Sequence, residues 1–232
     1  MRILTIIPAR AGSKRLPGKN TRLLAGKPLI AHTIKTAQQS GCCDEIVVST
    51  DSEEIAEIAN QYGASVPWLR PADLANDTSD VIYTVIDLLD RFKNVNVYFD
   101  SVLLLQPTSP FRKPETIRKA VEIHQKTNKS VVSVNKEILK PTWYRMIDEQ
   151  GNLTKSEIFQ DLDVYCKDVP IYKLNGVIYI ASTEQIIKNM SFYSEPTKAL
   201  PLNSFNESID IDTTVDWALT EKLMELNEEV LL

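Results

Sequence analysis

Short apolar runs alternate with amphipathic segments along most of the chain, and this alternation restricts its fold more than any other feature. Apolar runs typical of buried strands lie at 2–7, 45–50, 64–69, 101–106, 129–135, 175–181 and 209–213. Apolar residues at helical spacing predict helices at 29–40, 51–62, 79–92, 114–124, 183–189 and 215–226. Strands and helices in this order form a mainly parallel sheet with helices on both faces. The sequence therefore predicts an α/β fold.

The alternation stops at about 136–172, where the sequence contains no good amphipathic helix. Within this stretch, apolar residues at 143–147 and Leu153 flank the turn-forming residues Asp-Glu-Gln-Gly, a pattern typical of a β-hairpin. No internal repeat or low-complexity linker divides the chain. We therefore predict one domain, residues 1–232, that carries a small β-rich insertion at 136–172.

The composition is that of an ordinary globular protein, with 43% apolar and 25% charged residues. No apolar run approaches the roughly 18 residues of a membrane span, and the apolar run at the N-terminus is too short for a signal peptide. Cys42 and Cys43 are adjacent and Cys166 stands alone, so we expect reduced thiols. His32 and His124 have no second ligand at zinc-site spacing. These features predict a soluble cytoplasmic protein whose two histidines are partly buried in helices.

A cationic loop follows the first predicted strand, and its charge is not balanced locally. Eight Lys or Arg but no acidic residue precede Asp44, and five of these basic residues lie between Arg10 and Arg22. Gly12 and Gly18 allow a ligand close approach to the backbone, although the spacing matches neither the dinucleotide nor the Walker motif. A solvated basic turn is the alternative. The local asymmetry favours a small phosphate-bearing ligand over a nucleic-acid surface.

Four polar segments each follow or end a predicted strand, at 9–20, 70–79, 106–112 and 209–213. Ligands of open α/β sheets bind beyond the carboxyl ends of the strands, so we expect these segments to gather at one rim. Asp210 and Asp212 alternate with two isoleucines, which places both carboxylates on one side of an extended chain and suits Mg²⁺. A helix N-cap explains the pair equally well. Gln106 suits sugar or base hydroxyls, but a plain turn is as good an explanation.

Several of these segments resemble one known family. Ile7-Pro-Ala-Arg-Ala-Gly-Ser-Lys14, with Lys19-Asn20, resembles the signature loop of the CMP-acylneuraminate synthetases, cytidylyltransferases that activate sialic acid and related nonulosonic acids. Four later segments resemble later motifs of that family in the same order. They are Arg70-Pro-Ala with Asp77-Thr78, Leu105-Gln-Pro-Thr-Ser-Pro-Phe-Arg112, Asn175-Gly-Val-Ile-Tyr179 and Ile209-Asp-Ile-Asp212.

The resemblance implies a Rossmann-like nucleotidyltransferase fold and a homodimer whose insertion reaches the neighbouring active site. It also implies transfer of CMP from CTP to the anomeric hydroxyl of a nonulosonic acid, with release of pyrophosphate. By resemblance, the triphosphate would be held by Arg10, Lys14 and Lys19, and the cytidine would be held by Asn20, Arg70 and Ser79. The sugar would be bound by Gln106, Asn175 and Tyr179. Mg²⁺ would be bound by Asp210 and Asp212. Arg10, Lys14, Lys19 and Asp212 are the candidate catalytic residues.

The sequence departs from the family at one motif. The family often has an arginine before the proline that precedes the Asn-Gly strand, whereas this chain has Cys166-Lys167-Asp168-Val-Pro170. Lys167 would replace that arginine in holding the sugar carboxylate, or the acceptor differs from ordinary sialic acid.

Two other interpretations stay open at this point. The run Arg15-Leu-Pro-Gly-Lys19 also resembles the CMP-Kdo synthetases, although Asn20 stands where those enzymes have proline. A sugar nucleotidyltransferase of that kind is one alternative, and a non-catalytic nucleotide-binding module is the other. Retention of both Asp210 and Asp212 argues against the second, because binding alone requires no metal pair.

Overall fold

The structure is a computed structural model that describes residues 1–76, 79–137, 144–155 and 170–230. Its strands are β1 (Ile3–Pro8), β2 (Leu23–Leu24), β3 (Lys27–Pro28), β4 (Glu45–Ser49), β5 (Ser101–Leu104), β6 (Val131–Glu137), β7 (Arg145–Ile147), β8 (Leu153–Lys155), β9 (Ile171–Ser182) and β10 (Lys198–Pro201). Its α-helices are α1 (Leu29–Ser40), α2 (Glu53–Gln61), α3 (Val81–Asn94), α4 (Pro114–Thr127), α5 (Thr183–Asn189) and α6 (Thr214–Val230).

Six strands form the central sheet, in the order β10–β6–β9–β5–β1–β4. Strand β1 pairs in parallel with β4 and β5, and β10 pairs in parallel with β6. Strand β9 is antiparallel to both of its neighbours, β5 and β6. Five strands of this sheet therefore run in one direction, which confirms the predicted mainly parallel sheet.

Two apolar layers cover the faces of the sheet. On one face, α1, α2 and α4 pack their apolar stripes against a cluster that includes Ile3 and Ile7 of β1. On the other face, α3 and α5 pack against a cluster that includes Leu4 and Ile6. Because side chains alternate along a strand, β1 contributes to both layers, which explains its continuous apolar sequence. The predicted α/β fold with helices on both faces is confirmed.

Helix ends follow the local sequence. Ser52 caps α2 by accepting a hydrogen bond from the Ile55 amide, as its position before the helix predicts. Gly41 ends α1 in the left-handed conformation that favours glycine.

Both histidines lie in helices, and His124 is buried with its ring nitrogens 2.8 Å from the Ser101 hydroxyl and 2.7 Å from the Lys129 carbonyl oxygen. Cys42 and Cys43 are not bridged.

Two predicted strands are wrong. The stretch at 64–69 forms only a single bridge, between Val47 and Ser65, and Pro67 then lacks the N–H that a further pair would need. The stretch at 209–213 belongs to no sheet. Its isoleucines are buried instead in a third apolar cluster with Leu16 and Trp217.

The insertion contains the predicted hairpin. Strands β7 and β8 pair antiparallel, and the turn between them is closed by Asp148, whose carboxylate accepts hydrogen bonds from the amides of Gln150 and Asn152. These hydrogen bonds hold the pKa of Asp148 below its usual range.

Residues 138–143 and 156–169, which include Trp143 and Lys167, lie outside the described residues. The division into one domain with an insertion stays a prediction. None of the helices in the described ranges is long and apolar enough to cross a bilayer.

Candidate active site

A cleft of about 560 Å³ lies at the rim where β1 and β5 end, beside the N-terminus of α3. It brings together eight of the predicted site residues, namely Arg10, Lys14, Lys19, Asn20, Arg70, Ser79, Gln106 and Asp212. The convergence follows from topology, because the parallel strands deliver their following loops to the same edge of the sheet.

The cationic loop is held in place by its own backbone. Leu16 is buried as an anchor, and the amide of Lys19 donates to its carbonyl. Gly18 has φ +66°, and its carbonyl accepts the Arg22 amide, so the turn uses the conformational freedom of glycine. The Asn20 side chain is almost fully buried and donates to the Arg10 carbonyl at 3.0 Å. Asn20 therefore lines the cleft and also fixes the backbone that carries Arg10.

Lys19 and Asp212 meet in the cleft. The Lys19 ammonium donates to the Ile211 carbonyl at 2.8 Å and lies 3.4 Å from an Asp212 oxygen, and only 12% of its side chain is exposed. Arg15 reaches the other Asp212 oxygen at 3.0 Å with a side chain that is 68% exposed. Two cations of one loop thus converge on one carboxylate. Sequence reasoning gave Arg15 no individual role, although the basic cluster at 10–22 contained the signal.

Arg22, the last of the five basic residues of the loop, packs against a distant helix. Its guanidinium lies 4.4 Å from the ring centroid of Trp217, a cation–π contact that ties the loop to α6. Arg22 is not among the residues that line the cleft. Its contribution is to packing, and no local pattern in the loop distinguishes it from Arg15.

The alternative explanation of the aspartate pair was a helix cap, but two other residues form that cap. Thr213 and Asp216 form a reciprocal capping pair at the start of α6, with the Thr213 amide donating to Asp216 at 2.7 Å and the Asp216 amide donating to the Thr213 hydroxyl at 3.3 Å. Because the cap is made elsewhere, the Asp212 carboxylate is left to line the cleft. Ile209 and Ile211 face the core, as predicted.

Asp210, the other aspartate of the pair, has a raised pKa. The pKa of Asp210 is raised, chiefly by partial desolvation of the carboxyl, although the residue as a whole is exposed, and also because Asp212 places a second negative charge nearby. A cation between the carboxylates would relieve this repulsion. Within the described part of the chain, no group of three or more metal-binding side chains forms. Carboxylates are the ligands that Mg²⁺ shares with substrate phosphates, and of this pair Asp212 lines the cleft whereas Asp210 does not.

Arg70 is fixed beside the end of β4. Its guanidinium donates to the Ser49 hydroxyl at 3.1 Å and to the Ser49 carbonyl at 2.6 Å. Burial lowers the pKa of Arg70 to about 10, with the positive charge of Arg10 adding to the decrease and Asp51 opposing it. The side chain is still cationic at neutral pH. It can therefore offer an oriented charge and donor to a ligand in the cleft.

Gln106 separates the cleft from a second cavity of about 250 Å³ and lines both. The second cavity also contains Tyr179, so two of the predicted sugar-binding residues share it. A Cβ on Gly176 would lie 3.2 Å from the Gln106 side-chain oxygen, which shows how closely β9 packs against Gln106. The pKa of Tyr179 is raised, first by partial burial and then by the negative charge of Asp210.

Asn175 does not line either cavity. Its side-chain oxygen accepts from the Ser133 hydroxyl at 2.5 Å and from the Val177 amide at 3.1 Å, and its nitrogen donates to Asn135 at 2.9 Å. Asn175 thus holds the irregular pairing of β6 and β9. Asn175 precedes Gly176, which packs against Gln106, but its own side chain is engaged by β6. Lys167 lies outside the described residues, and its predicted role stays a prediction.

Arg112 is a buried residue whose function was not predicted from its motif. It is 3% exposed and donates to the carbonyls of Val177 and Gln106, at 2.8 and 2.7 Å, and to the Thr33 hydroxyl at 3.3 Å. Burial lowers the pKa of Arg112 to about 9, an effect that Glu207 partly offsets. One planar guanidinium therefore connects α1, β9 and the Gln106 turn.

Comparison with known proteins agrees with this geometry. Residues 4–231 match the sequence model of a family described as cytidylyltransferase. The chain belongs to the cytidylyltransferase family. It is 75% identical over 232 residues to a CMP-N,N'-diacetyllegionaminic acid synthase from Legionella pneumophila, with both chains covered completely. The resemblance to the CMP-acylneuraminate synthetases and the predicted enzyme class, a nucleotidyltransferase, are confirmed.

Other relatives of this cytidylyltransferase are more distant. A pseudaminic acid cytidylyltransferase from Campylobacter jejuni is 31% identical, with 99% of each chain covered. An N-acylneuraminate cytidylyltransferase from Escherichia coli is 36% identical over 94% of this chain, which spans about half (51%) of that longer protein. Among solved structures, a CMP-2-keto-3-deoxy-manno-octonic acid synthetase complexed with CTP superposes with a TM-score of 0.72 and 17% sequence identity. The superposition covers 98% of this chain and 100% of that one. That likeness confirms the nucleotidyltransferase fold.

Proposed function

We propose that this cytidylyltransferase transfers CMP from CTP to the anomeric hydroxyl of a nonulosonic acid and releases pyrophosphate. The observation that carries the proposal is the meeting of Lys19 with Asp212, which sets a cationic loop against a carboxylate in one cleft. The full-length identity of 75% to a CMP-N,N'-diacetyllegionaminic acid synthase supports N,N'-diacetyllegionaminic acid as the acceptor.

In this reaction the anomeric oxygen attacks the α-phosphorus, and the bond from that phosphorus to the oxygen bridging the β-phosphorus breaks. Such a transfer needs alignment and charge neutralisation more than covalent help from the protein. Lys19 and Arg15 are positioned to neutralise the charge that develops on the leaving pyrophosphate, while Arg10 and Lys14 hold the rest of the triphosphate. Arg70 and Ser79 bind the nucleoside. Gln106 lines both cavities, which supports a role in orienting the acceptor next to the nucleotide.

We also propose Mg²⁺ as the cofactor, held by Asp210 and Asp212. When bound there, the ion would supply positive charge to the phosphates and make the attacking hydroxyl more acidic. Lys19 and Arg15 contact one Asp212 oxygen each, at 3.4 and 3.0 Å, and so keep the carboxylate oriented in the cleft.

We further propose a cytoplasmic homodimer formed through the insertion. The hairpin exposes three apolar side chains, with Met146 47%, Ile147 71% and Leu153 73% exposed, on a two-stranded ribbon that has too little core of its own. Sedimentation of the wild-type protein should give the mass of a dimer. Met146→Glu combined with Ile147→Glu should shift it to a monomer, whereas a monomeric wild-type protein would contradict the proposal.

The acceptor is tested by competition. Equal concentrations of N,N'-diacetyllegionaminic, pseudaminic and N-acetylneuraminic acids and Kdo are offered with limiting CTP, and the CMP-glycosides are separated by chromatography. We expect the CMP-legionaminic product to dominate. A dominant CMP-Kdo product would instead assign the enzyme to the other branch, and no CMP-glycoside from any acceptor would exclude the proposed reaction.

Lys19→Ala should lower kcat/KM by roughly 10- to 100-fold, because a charge-assisted contact of a mostly buried ammonium is lost in the transition state. Steady-state kinetics with varied CTP measure the effect. Lys27→Ala is the matched control, since Lys27 is exposed on β3 and lines no part of the cleft. An unchanged kcat/KM in Lys19→Ala would contradict the role of Lys19.

A further inference from the structure

Thr84 carries a buried hydroxyl that the reaction described above does not use. The residue is 1% exposed, lies in the first turns of α3 and lines the cleft. Its hydroxyl oxygen has no hydrogen-bond partner among the residues that the structure describes. Buried polar atoms in folded proteins are almost always paired, so an unpaired one in a binding cleft indicates a partner supplied by the ligand.

The side chain does not satisfy itself in the way helical threonines usually do. Thr36, Thr127 and Thr220 each donate to the carbonyl four residues earlier in their helices, at 2.9, 2.7 and 2.7 Å. Thr84 makes no such bond. Its buried hydroxyl is therefore unpaired, in a residue that lines the cleft and in a chain where that local bond is otherwise common.

The surroundings of Thr84 favour one part of the nucleotide. Leu74 and Val81 supply apolar contact surface in the same cleft, and Arg70 supplies a planar, fixed guanidinium. The triphosphate has its own partners in the loop at 10–19. An apolar surface with a few oriented polar groups is the chemistry that binds a flat heterocycle. A hydroxyl that both donates and accepts can pair with a ring carbonyl, a ring nitrogen or an exocyclic amine.

We propose that the Thr84 hydroxyl hydrogen-bonds the pyrimidine base of the bound nucleotide. This inference rests on the proposed function and assigns a contact within it. The threonine contributes to nucleotide affinity through the base alone, and it makes no contribution to binding of the phosphates.

The test uses two variants and two ligands. Thr84→Val keeps the branched shape and removes the hydroxyl, whereas Thr84→Ser keeps the hydroxyl. Isothermal titration measures the Kd of CTP and, separately, the Kd of inorganic tripolyphosphate, which has no base. Removing one partner of a buried hydrogen bond predicts a Kd for CTP that is about tenfold or more higher in Thr84→Val. The Kd for tripolyphosphate should be unchanged, and Thr84→Ser should bind CTP within about threefold of wild type.

Thr5→Val is the control, because the Thr5 hydroxyl is likewise buried but lies outside the cleft, beside the Cys43 thiol. It should leave both Kd values unchanged. Equal CTP affinity in Thr84→Val and wild type would overturn the inference while leaving the proposed function intact. A parallel loss of affinity for CTP and tripolyphosphate would overturn it as well, because that result indicates a general distortion of the cleft. A wild-type protein that binds no CTP would remove the proposed function and this inference together.

Discussion

Asp212→Asn should lower kcat by at least about a hundredfold while leaving the Kd of CTP within a few-fold of wild type. The substitution keeps the shape of the side chain but removes the negative charge that Lys19 and Arg15 contact at 3.4 and 3.0 Å. An amide is a poor ligand for Mg²⁺ compared with a carboxylate, so the proposed metal would lose a charged ligand. Pyrophosphate release gives kcat, and titration calorimetry gives the Kd.

Asp216→Asn is the matched control for this variant. Its carboxylate lies four residues further on, caps α6 through Thr213 and accepts the Asp212 amide at 3.1 Å without lining the cleft, and the side-chain oxygen of asparagine can still accept both amides. We expect a lower midpoint of thermal unfolding and a nearly unchanged kcat. Turnover at the wild-type rate in Asp212→Asn would refute the role given to Asp212, whatever the control shows.

Arg112→Met should destabilise the fold by about 3 kcal/mol or more, the largest effect on stability that we expect from a single side chain. The variant fills a similar volume but leaves two buried carbonyl oxygens and the Thr33 hydroxyl without their donor. Urea denaturation measures the free energy of unfolding. Arg112→Lys, which keeps the charge but not the planar fork, should lie between Arg112→Met and wild type.

Arg118→Met on α4 is the comparison for Arg112→Met. Arg118 is partly exposed, contacts the carbonyls of Gln39 and Ser40 and pairs with Glu115, so its loss should cost less than about 1 kcal/mol. Because Arg112 holds the Gln106 carbonyl, Arg112→Lys should also raise the KM for the acceptor. A stability of Arg112→Met equal to that of wild type would contradict the connecting role of this residue.

The fold was largely predictable because periodicity marks buried faces. Strands β1 and β5 and helices α1 and α3 have apolar patterns that match their burial closely. The same pattern misled at Ile209 and Ile211, which alternate as in a strand but are buried by Leu16 and Trp217 rather than by a paired strand. A local pattern reports that a side chain is buried, and it does not report which element covers it. Strand β10 was missed because its four residues end in proline.

The site was predictable as a set of loops and less so residue by residue. Chain order placed the loops at one rim, but which of the loop cations pack internally depends on distant residues such as Trp217, against which Arg22 lies. The helix-cap explanation of Asp212 was excluded by Thr213 and Asp216, whose capping pattern is visible in the sequence itself. No sequence signal distinguishes Thr84 from an ordinary helical threonine, because its status rests on a hydrogen bond that is not made.

A single assay shows whether this cleft transfers CMP to a nonulosonic acid. The protein is incubated with CTP, Mg²⁺ and N,N'-diacetyllegionaminic acid, and pyrophosphate and CMP-glycoside are quantified together over time. We expect CMP transfer to give equal molar amounts of both products, dependent on the acceptor and on Mg²⁺. Absence of both products with this acceptor and with every other nonulosonic acid offered would contradict it.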